Sequence, residues 1–487
     1  MNTQIEILFR NSLDYISIGK LSEAKHLLQK ILVLDYAHLG TLNCLAMIAS
    51  IDKDLDQALA YINRAILNDP SDSRAYINRG NILQTMHSFG PALEDCKHAI
   101  SLSPSSPEAH NNLGNTLQSL NRHREAVESY HQALSLRNHY PQALNNLGNA
   151  FKALKKFDDA IENYLRAIAL NPQYGSAYWN LSLTQLLLGD YTNGLQNYEY
   201  RWLKENAETY LHQEIPKLQT LETLNGSHVL LWAEQGFGDT IQFVRYIPLL
   251  MDMGARITLQ VQSPLKSLLE NNLDCNFIDF DHEVPTADYQ LPLGSLPLIF
   301  RTQLDTIPSN TPYLKVHPNK MHEWKLKLNP KKNKLNIGIA CSGNIKFDLA
   351  HGNTRPVPLA LFAPLSDTAN LFLIQKEIRP DDLSFLQASR SITYLGDQIE
   401  TFEDTAAIAA NLDAIVTIDT SLAHLAGALG MPTFVLLPWV PDWRWGINGD
   451  HSPWYPNTHL LRQEEPGKWD EVIASMRANI VQLTRRT

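Results

Sequence analysis

Small apolar residues recur with a fixed period along the first part of the chain, and the pattern then changes. Ala24, Ala58, Ala92, Ala126 and Ala160 stand 34 residues apart, with Gly194 in the next slot. A second register holds Ala65, Ala99, Ala133 and Ala167, a third holds Gly80, Gly114 and Gly148, and Pro70, Pro104 and Pro172 punctuate the ends. Residues this small are needed where paired helices cross closely, and proline stops the second helix of a pair. The pattern predicts about six helix pairs in a right-handed solenoid, strongest over residues 41–203, with the first helix of each pair on the concave face. A polar stretch without period follows from Lys204 to Asn225. Short β-branched runs begin after it, at His228–Glu234, Ile257–Val261 and Phe277–Phe280, with a helix around Pro264–Glu270. After the basic segment Asn329 to Lys334 they resume at Asn336–Cys341, Leu371–Gln375, Ile392–Leu395, Ala414–Asp419 and Thr433–Leu437. Helical stretches such as Phe402–Leu412 separate them, which argues parallel sheets. An amphipathic helix from Trp469 to Leu483 closes the chain. The expected organisation is a solenoid over 1–203, a linker over 204–227, and two α/β lobes over 228–328 and 329–487.

Composition narrows the function classes. A chain of 487 residues has room for about three domains and a sizeable core. Its net charge of −10 and the lack of a dense Lys/Arg run give no footprint for nucleic acid. No apolar run approaches a membrane span. Glu6, Arg10 and Asp14 near the start do not fit a secretory leader. Cys44, Cys96, Cys275 and Cys341 are widely spaced, as expected of reduced thiols in a cytoplasmic protein rather than of a disulfide framework or a zinc site.

The 34-residue period resembles a tetratricopeptide array. Within it Asn78, Asn112, Asn146 and Asn180 keep the same spacing, with Asn81, Asn115 and Asn149 one turn on. In a tetratricopeptide unit this slot faces the groove, where carboxamides donate to and accept from an extended peptide backbone without reading its side chains. The alternative is a row of solvated polar positions. The ladder is similar to the asparagine-lined superhelix of protein O-GlcNAc transferases.

Two strand-to-helix turns carry the candidate chemistry. In the first lobe Gln235-Gly236-Phe237-Gly238-Asp239-Thr240 follows a buried-type strand. Gly236 and Gly238 let backbone approach a ligand closely, yet the stretch is neither a dinucleotide fingerprint nor a P-loop. Asp239 is either a helix cap, with Gln242 three residues on, or a carboxylate able to take a proton from an attacking hydroxyl. In the second lobe Ala414–Ile418 leads into Asp419-Thr420-Ser421 and a small-residue helix. Free amides at that helix start, with the Thr420 and Ser421 hydroxyls, suit a diphosphate, and His424 shares a helix face with Thr420. The plain alternative is a capped core helix with a buried histidine. Ser342, Gly343 and Asn344 follow another strand end and Lys376 a third, while Arg355 is placed to reach the same crevice. Lys376 and Arg355 read equally as solvated charges. The aromatic segments Pro441-Asp442-Trp443-Arg444-Trp445 and Ser452-Pro453-Trp454-Tyr455-Pro456 either stack on a base or sugar, with Arg444 able to bind phosphate or cap a ring, or pack the lobe edge.

These motifs together resemble glycosyltransferase family 9, the ADP-heptose heptosyltransferases, over roughly residues 228–485. The likeness extends to bacterial proteins that join tetratricopeptide repeats to such a module, on Ser342-Gly343-Asn344, Asn353, Arg355, Gln375-Lys376 and both aromatic segments. The resemblance implies a GT-B fold and inverting, metal-independent transfer from a nucleotide sugar, with no other cofactor. It implies Asp239 as base, Thr420 and neighbouring amides on the donor diphosphate, and Arg355 or Lys376 against leaving-group charge. Ser342, Asn344, Gln375, Asp419, Ser421 and His424 complete the implied donor side. Asp-x-Asp occurs at Asp52-Lys53-Asp54, Asp54-Leu55-Asp56 and Asp279-Phe280-Asp281, and at neither of the two strand-to-helix turns. The first lobe is short for a heptosyltransferase, and Asn353-Thr354-Arg355-Pro356 stands where a lysine-rich phosphate contact belongs, so donor and acceptor stay open. The expected function is a cytoplasmic protein glycosyltransferase with the acceptor in the repeat groove. The alternatives are a non-catalytic scaffold with a relict module and a lipopolysaccharide-type sugar transferase.

Overall fold

The computed structural model describes residues 2–222, 224–328, 334–345, 348 and 355–484. Most of the basic segment at 329–334 and the expected contributor Asn353 lie outside the described residues. The chain forms two compact units, Met1–Ala177 and Tyr178–Thr487.

The first unit is a helical solenoid. Five complete helix pairs run from Asn2–Ser17 with Leu21–Leu34 to Pro141–Ala153 with Phe157–Leu170. The helix Gly175–Leu187 opens a sixth pair and straddles the division between the units. The periodic alanines are the reason the helices pack so closely: every one from Ala24 to Ala160 and from Ala65 to Ala167 is fully buried. The periodic glycines each make room for the side chain 16 residues on. A Cβ at Gly114 would sit 2.5 Å from the Tyr130 ring and one at Gly148 2.5 Å from Tyr164, whereas at Gly80 the facing Cys96 Sγ is 3.4 Å away.

The second unit holds two wholly parallel sheets. The first has the order β3-β2-β1-β4, from β1 (His228–Trp232), β2 (Arg256–Gln260), β3 (Asn276–Ile278) and β4 (Tyr289–Pro292). The second has the order β10-β9-β8-β5-β6-β7. It comprises β5 (Leu335–Ala340), β6 (Ala369–Leu373), β7 (Ile392–Tyr394), β8 (Ala414–Ile418), β9 (Thr433–Leu437) and β10 (Thr458–Arg462). β8 and β9 are buried at every position, as expected of a parallel sheet covered on both faces. Strand order reverses between β1 and β4 in one sheet and between β5 and β8 in the other. The crevices beyond the strand ends at these reversals are where open α/β sheets take their ligands.

Packing places three segments differently from the pattern. Residues 178–203 belong to the second unit rather than to the solenoid, because Tyr191, Tyr198 and Arg201 bury themselves against it. Residues 204–227 are not a free linker either: Leu218 is fully buried, Lys217 bridges to Gln290 of β4, and Tyr210 lies edge-on to Trp232. Between the sheets, the helix Pro318–Leu328 buries Trp324 and Leu328 in a cluster with Ile374, Ala407 and Ile415, so it packs on the second sheet.

Candidate functional site

The loop after β1 is held from several sides. Glu234 is buried and takes two hydrogen bonds from Arg201, at 2.8 and 3.0 Å, and one from the Gly294 amide at 3.0 Å. Gln235 has φ of +58°, unusual for a residue other than glycine. Its side chain accepts from the Tyr198 hydroxyl at 3.0 Å and its amide donates to Glu208 at 3.2 Å. Gly236 then caps the helix Phe237–Phe243, and its amide donates to Asp239 Oδ2 at 3.0 Å. Asp239 is thus not the cap residue that the spacing to Gln242 suggested but the third residue of the helix, whose carboxylate reaches back to the capping Gly236. Its other oxygen accepts from Arg444, which the loop after β9 supplies. Burial pushes the Asp239 carboxyl above the ordinary aspartate range, Arg444 opposes that shift, and Asp442 adds to it.

Gly238 serves a contact between helices. A Cβ there would fall 2.7 Å from His424 Cδ2 and 3.5 Å from the Ser421 Cα, so the missing side chain lets the helix Phe237–Phe243 press onto the helix Ser421–Ala428. His424 is buried beneath it. Its Nδ1 lies 2.9 Å from the Tyr455 hydroxyl and its ring stacks on Trp445 at 5.2 Å. Burial, reinforced by Arg444 and Arg245, keeps the imidazole neutral.

On the second sheet the expected residues separate by role. The Gln375 amide is saturated: it accepts from the Cys341 and Ser342 amides at 2.7 and 3.2 Å and donates to Ser342 Oγ and the Glu377 carbonyl at 2.7 and 2.8 Å. Gln375 and Ser342 therefore tie the ends of β5 and β6 together. Arg355 Nη1 donates to the Asp419 carbonyl at 2.8 Å, and its other nitrogens pair with the buried Asp348. Gly343 packs against it, with a Cβ there lying 3.1 Å from Arg355 Nη2 and 3.4 Å from Thr420. So Arg355, Gly343 and Asp419-Thr420 converge. Asn344 is exposed beside them on the same loop, with its carbonyl accepting from the Asp348 amide at 3.0 Å. Lys376 does not visibly join this group: its side chain is exposed and its carbonyl accepts from Tyr394.

The helix Ser421–Ala428 starts at Thr420 without a side-chain cap, and the Thr420 hydroxyl lies 3.1 Å from that of Thr417. Ser421 is half-buried at this terminus. Asp419 is pushed up to about 6 by burial and by Asp442, against the pull of Arg355, the Trp445 indole and Arg444. Asp239, Asp419 and Asp442 thus share the field of Arg444. Among the described residues no three His, Cys, Asp or Glu side chains could hold a metal ion together.

The aromatic segments settle as packing. Trp443, Trp445, Trp454 and Tyr455 are all buried. Arg245 runs beneath them, donating to the Trp454 carbonyl at 2.9 Å and the Tyr313 hydroxyl at 3.0 Å. Arg444, read from the sequence as able to bind phosphate or cap a ring, is instead engaged with Gln242, Asp442 and Asp239. The parts of Asp442, Asp348 and Tyr198 escaped the sequence reading: Asp442 was visible only as a neighbour in an aromatic run, Asp348 had no motif around it, and Tyr198 lay in what read as the last repeat.

In the first unit the asparagine ladder is knitted to itself. Asn78 donates to Asn43 at 2.7 Å, Asn112 to Asn81 at 2.8 Å, and Asn146 to Asn111 and Asn115 at 3.1 and 3.0 Å. Tyr130 and Tyr164 cap Asn115 and Asn149 at 2.7 and 2.8 Å. Asn180, in the second unit, lies half-buried, with its carbonyl accepting from Thr184 at 2.8 Å.

Comparison with known proteins bears on the repeats. Residues 107–140 and 141–174 match the tetratricopeptide repeat family, so the solenoid is built of such repeats. Protein FlbA of Caulobacter vibrioides is 21% identical over 277 residues, which are 52% of this chain and 46% of FlbA. The chain therefore spans less than half of that relative. Among solved structures, the APC/C hetero-tetramer Cut9-Hcn1 is 19% identical over 42% of this chain and 40% of that one, with a TM-score of 0.39. PilF of Pseudomonas aeruginosa is 18% identical over 41% and 90%, with a TM-score of 0.36. PilW, a type IV pilus biogenesis factor, is 28% identical over 34% and 76%, with a TM-score of 0.32. No described helix is long and apolar enough to cross a membrane.

Proposed function

We propose that the chain is an inverting, metal-independent glycosyltransferase with a GT-B arrangement of its two sheets, acting in the cytoplasm on a protein held by the repeats. One observation supports this most: Asp239, from the loop after β1, meets Arg444 and Asp442 from the loop after β9, and these two also act on Asp419 at the end of β8, beside the reversal of the second sheet. In this reaction an acceptor hydroxyl attacks the anomeric carbon from the face opposite the diphosphate. The new C–O bond forms, the bond to the diphosphate oxygen breaks, and the hydroxyl proton passes to Asp239. The leaving diphosphate gathers negative charge, which the uncapped start of the helix Ser421–Ala428 and Arg355 stabilise.

A second reading, a non-catalytic scaffold, draws on the pairings at the same place. Asp239 already has Arg444 and Gly236 as partners, and Arg355 has Asp348. A panel of nucleotide sugars separates the two. The transferase should release nucleoside diphosphate from at least one donor, EDTA should leave the rate unchanged, and Asp239→Asn should lower it by roughly 10²-fold or more. Asparagine can still accept from the Gly236 amide, so with a purely structural Asp239 the folded variant would keep most of the rate. Release from no donor in the panel favours the scaffold. Transfer to a lipopolysaccharide core sugar but to no peptide would reassign the acceptor.

A further inference from the structure

The guanidinium of Arg444 is committed on every side. Its Nε donates to Gln242 Oε1 at 2.7 Å, Nη1 to Asp442 Oδ1 at 2.8 Å, and Nη2 to Asp239 Oδ1. Its faces lie against Trp443 and Phe243, 4.6 and 5.8 Å from the ring centres, and only 9% of the side chain is exposed. Arg444 comes from the loop after β9, whereas Asp239 and Gln242 lie on the helix after β1. One residue of the second sheet therefore fixes two of the first. With Gly236 on Oδ2 and Arg444 on Oδ1, the Asp239 carboxyl cannot rotate.

We infer that Arg444 is the positioning residue of Asp239, fixing the plane of its half-buried carboxylate and supplying the counter-charge in contact with it. The role as base rests on the transferase reading, but the pairing itself does not. Arg444, Asp442, Glu234 and Tyr198 act on Asp239 together with the Gly236 amide. Neutral His424 and Arg245 also stand on the elements packed there, but Arg245 is turned to the carbonyls of Gln242 and Trp454 and to the Tyr313 hydroxyl, so Arg444 is the cation in contact with the carboxylate. Burial, Asp442 and Glu234 favour the neutral acid, and a neutral acid accepts no proton. Asp442 has the opposite duty: it keeps the arginine from making Asp239 too weak a base. Gln242 and Asp442 hold the arginine so that it serves Asp239 without swinging onto a ligand.

The titration of Asp239 tests this directly. In the full chain labelled with ¹³C at aspartate carboxyls, its resonance is the one missing from Asp239→Asn. In Arg444→Gln the midpoint should rise by about one pH unit or more, because an opposite charge in contact has been removed. In Asp442→Asn it should fall, and in Arg444→Lys it should rise by less than in the glutamine variant. An unmoved midpoint in folded Arg444→Gln overturns the proposal. If that variant does not fold, the other two decide, and a midpoint that fails to fall in Asp442→Asn overturns it equally. Where a donor is turned over, the acidic limb of the rate profile should follow the same order. If none is, the transferase reading fails while the titration still decides the role of Arg444.

Discussion

The hydrogen atom that serves as the side chain of Gly238 sets how closely two helices approach at the candidate site. From the sequence it read as room for a ligand. In the structure the room is filled by His424, which no local pattern could reveal because the two residues belong to different sheets. Gly238→Ala should destabilise the second unit by about 1–3 kcal/mol in denaturant unfolding, since the Ser421 backbone stands behind the imidazole and limits its retreat. Asp419 makes a second expectation. Its folded value is raised from 3.8 to about 6, so the folded chain holds a proton that the unfolded chain has released across that window. The stability this provides is present below the lower value and is lost as pH rises through the upper one. Asp419→Asn should therefore be more stable than the parent at pH 7, with the gain shrinking towards pH 4. Melting temperatures across this range check the sign. A gain at neutral pH from removing a charge would mark Asp419 as held there against stability, as site residues often are.

At the scale of elements the helix pairs were legible, because close crossings demand small residues and the demand repeats. The turns inside the pairs were not. Lys53, His87, Asn121 and Lys155 all have φ between 57° and 63°, at the same 34-residue spacing as Gly19 and Gly189. The left-handed turn is thus a property of the repeat, but only two of the six positions carry the glycine that would announce it. Lys53→Gly should stabilise the solenoid by about 0.5–1 kcal/mol, because the exposed lysine is held in a conformation costly for any residue with a Cβ. A fall in the thermal midpoint would show that the turn is held by side-chain contacts instead. The strands β4 and β10 were also missed. One is four residues ending in Pro292, and the other follows a proline- and aromatic-rich stretch that masks any alternation. Of the site, the strand-to-helix turns could be read locally. The pairing of Arg444 with Asp239 spans 205 residues and could not.

At the scale of the molecule the two units differ in what holds them together. The solenoid is a tetratricopeptide array, and its asparagines bond from repeat to repeat. Replacing Asn112 and Asn146 by alanine should therefore loosen the stack by about 1 kcal/mol each, on top of any effect on an acceptor. A stability measurement must accompany a binding measurement for the groove to be judged. The second unit brings Asp239 of the first sheet to Arg444 and Asp442 of the second, and the function proposed for it stands on that convergence. The most direct measurement is the mass of peptide acceptors after incubation with the full chain and a panel of nucleotide sugars, beside the Asp239→Asn variant. A peptide heavier by one sugar residue with the parent chain, and about 10²-fold less of it with the variant, is the expected result. Unmodified peptides with every donor, or equal modification by both proteins, would contradict it.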